Sequence, residues 1–120
     1  MELYNIRTVY PNYKYPVAYA KIVELGLLDF GMWYLMSNEQ IGTRIKGLQS
    51  RYPKRKLIPF ARRDDNDDIA CFEVGKEDHV QIIHDFATAG SEQRKEYNCF
   101  WDWFRKAIAE MIEDIENEEI

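Results

Sequence analysis

Four carboxylates crowd into one five-residue stretch: Asp64, Asp65, Asp67 and Asp68, interrupted only by Asn66. Such residues at such spacing can hold a hard cation, present a negative patch to a basic partner, or turn the chain. A calcium loop of the EF-hand kind needs a glycine at its sharp turn and a distal glutamate. D-D-N-D-D has neither. Short polar side chains bond their own backbone and tolerate positive φ, so the stretch suits a hairpin turn. As a patch it would face Lys and Arg of another molecule, and charge complementarity would speed the encounter. Asp64, Asp65, Asp67 and Asp68 are thus the candidate partner-binding residues, set against the plainer reading of a solvated turn.

Other chemistry-bearing residues point less clearly. His79 and His84 are five apart, so on one strand they face opposite sides and form no metal pair. His84 beside Asp85 fails as a dyad, because neighbours on a strand diverge. Cys71 and Cys99 have neither C-x-x-C nor metal spacing, and read as two reduced cysteines packed as small hydrophobes. Trp103 sits off the helical stripe set by Phe100 and Phe104. Exposed, it would anchor a partner, since Trp is enriched in binding hot spots; packed, it is core. No nucleophile motif, phosphate loop or dinucleotide fingerprint is present. The sequence therefore leads to no catalytic residue, no metal and no cofactor, and to a protein that is not an enzyme.

Charge is unevenly divided. Residues 1–63 hold 11 Lys/Arg and 4 Asp/Glu, whereas residues 64–120 hold 5 and 17. Between 44 and 63 lie Arg44, Lys46, Arg51, Lys54, Arg55, Lys56, Arg62 and Arg63, with no acid among them. With Tyr52 this stretch has the residue types of nucleic-acid chemistry. The net charge of −5 opposes long-range attraction to a polyanion, so nucleic acid is not the expected partner. A solvated helix end, or contact with the chain's own acidic half, are the other readings.

The acidic turn needs strands on either side. Leu57 to Ala61, Ile69 to Val74 and His79 to Phe86 are short apolar runs bounded by polar turns, the pattern of a three-stranded meander. Pro59 cannot donate to a ladder, so its strand lies at an edge or bulges there. Met32 to Met36 reads as a further buried strand. Ser37 with Gln40 three residues on is a capping box, starting a helix over 38–51 with Ile41, Ile45 and Leu48 on one face. An earlier helix starts with Pro16 in its first turn, places Ala18, Ile22 and Leu25 on one face with Tyr15, and ends before Gly26. Residues 2–10 read as a strand or extended arm, and 87–96 as a loop or irregular helix. The last helix is capped by Asn98 and carries the stripe Phe100, Phe104, Ala107, Met111 and Ile115.

The run LIPFARRDDNDDIACFEV resembles the central signature of the SMI1/KNR4 family, the SUKH superfamily. The carrying residues are Ile58 to Ala61, the acids 64–68, then Phe72 and Glu73, with Asn98 and Phe100 at the closing helix. The resemblance implies an α+β fold: a mixed, mainly antiparallel sheet with helices packed against it. It also implies function. Bacterial members are mostly immunity proteins that bind and neutralise a cognate toxin domain, and the acidic half suggests a basic partner such as a nuclease. A regulatory interaction scaffold of the eukaryotic SMI1/KNR4 kind is the alternative, and a nucleic-acid-binding module a more distant one.

At 120 residues, 46% hydrophobic and with 17 aromatics, residues 1–120 are expected to form a single domain with a real core. No apolar run approaches a membrane span, and the opening MELYNIRTVY lacks the features of a signal peptide. A cytoplasmic location with no membrane partner is the expectation; the oligomeric state stays open.

Overall fold

The computed structural model describes residues 2–119. Six strands lie side by side in chain order: β1 (Asp29–Phe30), β2 (Trp33–Leu35), β3 (Leu57–Arg63), β4 (Asp68–Glu73), β5 (Val80–His84) and β6 (Gln93–Tyr97). Every pairing is antiparallel, so the α+β sheet is a pure meander without parallel strands. The predicted three-strand unit is its centre, β3 to β5. Pro59 lies within inner strand β3 opposite Cys71, and the register shifts between Pro59 and Ala61. The expected bulge takes up the missing donor.

Alternation along β4 decides which face each helix covers. Phe72 points to one side, where its ring stacks on Phe60 at 4.4 Å between centroids. Tyr19 of α1 (Val17–Glu24) meets both rings edge-on at 5.3 and 5.5 Å. Phe100 and Trp103 of α3 (Phe100–Glu118) close over Phe60 at 5.8 and 5.0 Å. Burial of each such side chain contributes roughly 1.5–3 kcal/mol, and truncating Phe60 at the centre would cost about 3–5 kcal/mol. Glu73, the neighbour of Phe72, points to the other side, toward the cover provided by α2 (Asn38–Arg51), which buries Ile41, Ile45 and Leu48. The Ser37 side chain accepts from the Gln40 N–H at 3.2 Å, and the Gln40 side chain accepts from the Ser37 N–H at 2.8 Å, which completes the predicted capping box.

Several expectations are corrected. The segment 2–10 holds a short 3-10 helix, Ile6–Thr8, rather than a strand. Pro16 caps α1 instead of opening its first turn. Tyr15 therefore lies outside the helix, and the buried face is Tyr19, Ile22 and Val23, while Leu25 is 58% exposed. The end of α1 is as expected: Gly26 adopts φ +72, its N–H reaches the Val23 carbonyl at 3.0 Å, and the Leu27 N–H reaches Ile22 at 3.2 Å, the paired bonds of a Schellman ending. The stretch 87–96 is not all loop, because Gln93–Tyr97 pairs with β5. Cys99, not Asn98, holds the cap position of α3, with no side-chain cap bond. The buried residues of that helix are Phe100, Trp103 and Ala107. Phe104 packs partly buried against the core, but Ile112 and Ile115 are each 47% exposed, because the last turns of α3 run past the sheet.

Candidate protein-binding face

The acidic turn joins β3 to β4 at one end of the sheet. Asn66 forms it, its Oδ1 accepting the Asp68 N–H at 2.7 Å, an Asx turn of the type that short polar side chains favour. The Asp64 N–H donates to the Met32 carbonyl at 2.9 Å, so the β1–β2 turn stands on one side. The Asp85 N–H donates to the Asp67 carbonyl at 3.1 Å, so the end of β5 stands on the other.

The four candidate carboxylates divide in two. Asp65 accepts from the Arg63 guanidinium at 2.8 and 3.0 Å, and a third Arg63 nitrogen reaches Glu110 of α3 at 2.9 Å. The Arg63 hydrogen bonds hold the Asp65 carboxyl below its usual range. Asp68 takes His84 Nδ1 at 3.0 Å and Arg94 Nε at 2.9 Å. Asp64 and Asp67 are exposed and, among the described residues, have no ion-pair partner. Arg63 thus ties the turn to α3, whose final turns carry Glu110, Glu113, Asp114, Glu116, Glu118 and Glu119 and no Lys or Arg. Close approach reinforces the tie: a Cβ on Gly31, at φ +84, would come within 3.3 Å of Met111 Cγ. The result is a solvated acidic surface with Met32, Ile112 and Ile115 exposed beside it.

Trp103 does not belong to this surface. It is 1% exposed, with its ring 5.6 Å from Trp33 and 5.0 Å from Phe60. Of the two readings of Trp103 the core one holds and the anchor one does not, because α3 is rotated so that the line through Phe100, Trp103 and Ala107 faces the sheet. The exposed aromatics are instead Trp101, on the outer side of α3, and, more exposed, Phe86, just beyond β5. The sequence carried one signal near it, an ionisable residue, Asp85, inside an apolar run.

The basic stretch turns inward. Asp85 is fully buried, and its carboxylate accepts from Arg44 at 2.7 Å, from Arg51 at 2.8 Å through two nitrogens, and from the Phe86 N–H at 2.8 Å. Burial alone would raise this carboxyl; the bonds from Arg51, Arg44 and Phe86 outweigh it and hold the group below the ordinary range. Arg55 bridges buried Glu73 at 2.9 and 3.0 Å and Glu92 at 3.0 Å. Four of the eight cations between 44 and 63 are therefore paired with the chain's own acids. A phosphate backbone would have to compete with those bonds, which weakens the nucleic-acid reading.

His79 lies 3.4 Å from Glu96 while His84 sits against Asp68, so the two histidines serve separate pairs. Cys71 is buried, Cys99 is partly covered, and both are free. Among the described residues no three His, Cys, Asp or Glu side chains converge as a metal site would require, and no helix is long and apolar enough to cross a membrane. A cleft of about 660 Å³ between the N-terminal segment and α1, lined by Tyr4, Arg7, Tyr13 and Lys14 among others, shares no residue with the acidic turn. Compared with known proteins, the chain matches no family model, no curated protein and no solved structure.

Proposed function

We propose that this chain is an immunity-type binding protein that neutralises a cognate bacterial toxin domain by forming a stoichiometric complex, in the manner its SMI1/KNR4-like sequence signature suggests. It acts by steric and electrostatic occlusion, without turnover. One observation carries the reading most: half of the cations between 44 and 63 are paired within the fold, whereas Asp64, Asp67 and the acids of α3 beyond Glu110 are exposed to solvent. A basic partner, such as the cationic active-site surface of a nuclease, complements that surface and is steered to it.

The test is to express the C-terminal domain of a large secreted protein encoded beside this chain and titrate the two by calorimetry. Tight one-to-one binding that abolishes the domain's toxicity is the expected result. Absence of binding overturns the reading.

A further inference from the structure

Phe86 combines two features that folding alone does not explain. Its side chain is 62% exposed, and its backbone sits at φ +69. The left-handed region is costly for a residue with a Cβ, and bulky residues held there cluster at functional sites. The conformation is maintained from beneath. The buried Asp85 carboxylate accepts the Phe86 N–H while clamped by Arg44 and Arg51. The same arginines support the ring, with the Arg51 guanidinium 4.2 Å and that of Arg44 5.8 Å from its centroid. An aromatic ring backed by fixed arginines is presented outward with little freedom left to lose on binding. Its position is set as well, since the bond from the Asp85 N–H to the Asp67 carbonyl places it beside the acidic turn.

We infer that Phe86 is the apolar anchor of the partner interface, entering an apolar pocket on a protein whose basic rim meets Asp64 and Asp67. Arg44, Arg51 and Asp85 are positioning residues that hold the ring at the surface. The inference rests on the binding reading above and adds to it the residue and the shape of the complementary site. A single-stranded nucleic acid stacking on Phe86 is the competing occupant. It is disfavoured because both arginines are engaged by Asp85 and because the neighbouring carboxylates repel phosphate.

The test compares wild type, Phe86→Asn and Val17→Ala, using as the probe the C-terminal domain of any large secreted protein found encoded beside this chain. Asn tolerates the left-handed backbone, so Phe86→Asn should unfold within about 4 °C of wild type. Its Kd for the domain should rise about 30-fold, the effect of losing a hot-spot side chain. Val17→Ala trims a still more exposed apolar side chain on α1 and should bind like wild type. If wild type fails to bind, the binding reading and this inference fall together. If wild type and Phe86→Asn bind alike, the inference alone is overturned. It is also overturned if Phe86→Asn unfolds more than about 10 °C early, or if wild type binds a single-stranded oligonucleotide at physiological salt and Phe86→Asn does not.

Discussion

Acids beneath α2 and acids at the end of the sheet have the same chemistry and opposite circumstances. Asp85, Glu73 and Glu92 are buried, and arginines meet all three. Asp64 and Asp67, in the turn whose Asp67 carbonyl accepts the Asp85 N–H, are exposed and, among the described residues, have no ion-pair partner. A buried carboxylate must be paired, since taking it out of water uncompensated costs several kcal/mol. A solvated one costs almost nothing to carry and is free to meet another molecule. The first group is therefore assigned to the fold and the second, under the proposed binding function, to recognition, and the predictions follow from that division.

The largest effect belongs to the buried group. Asp85→Asn leaves Arg44 and Arg51 facing a neutral amide and should destabilise the protein by about 3 kcal/mol in urea unfolding; a loss below about 1 kcal/mol would place Asp85 with the solvated acids. Acid should reproduce this loss gradually. The folded Asp85 carboxyl lies below its unfolded value of about 3.9. Its contribution is complete above the unfolded value and disappears as pH falls through the folded one. Urea midpoints should therefore decline below about pH 4, and decline less in Asp85→Asn.

The solvated group should behave in reverse. The double change Asp64→Lys with Asp67→Lys should alter stability by no more than about 0.5 kcal/mol. Association with the basic partner should nonetheless slow about tenfold at low salt, and the difference should shrink as salt screens it. Asp65 is intermediate, paired yet at the surface. Asp65→Asn should cost less than about 1 kcal/mol in unfolding, since much of the Arg63 bond is exchanged for water.

Where local chemistry determines structure, the sequence was readable. Ser37 and Gln40 fixed the start of α2, Gly26 the end of α1, Pro59 the bulge in β3, and the alternation of polar turns and apolar runs the central meander. Where position in the fold decides, it was not. Gln93–Tyr97 has no hydrophobic signal because it is an edge strand held by backbone bonds to β5, and its charges suit an unpaired edge. In α3 the apolar residues from Phe100 to Ile115 span a stripe too wide to reveal which line faces the sheet, so Trp103 stayed open between core and anchor until the helix was placed. The acidic turn was legible as four carboxylates; that Arg94 would engage Asp68 and that Arg63, two residues from Asp65, would also reach Glu110 was not, because strand register and helix packing bring those residues together.

The most direct measurement is the association rate of this protein with the C-terminal domain of any large secreted protein found encoded beside it, at low and at physiological salt, for wild type and for the Asp64→Lys, Asp67→Lys pair. Fast, salt-sensitive, one-to-one association by wild type that slows about tenfold in the double variant at low salt is the predicted result. Tight binding indifferent to both salt and charge reversal would show that the partner docks elsewhere and contradict the assignment of the acidic end of the sheet to recognition.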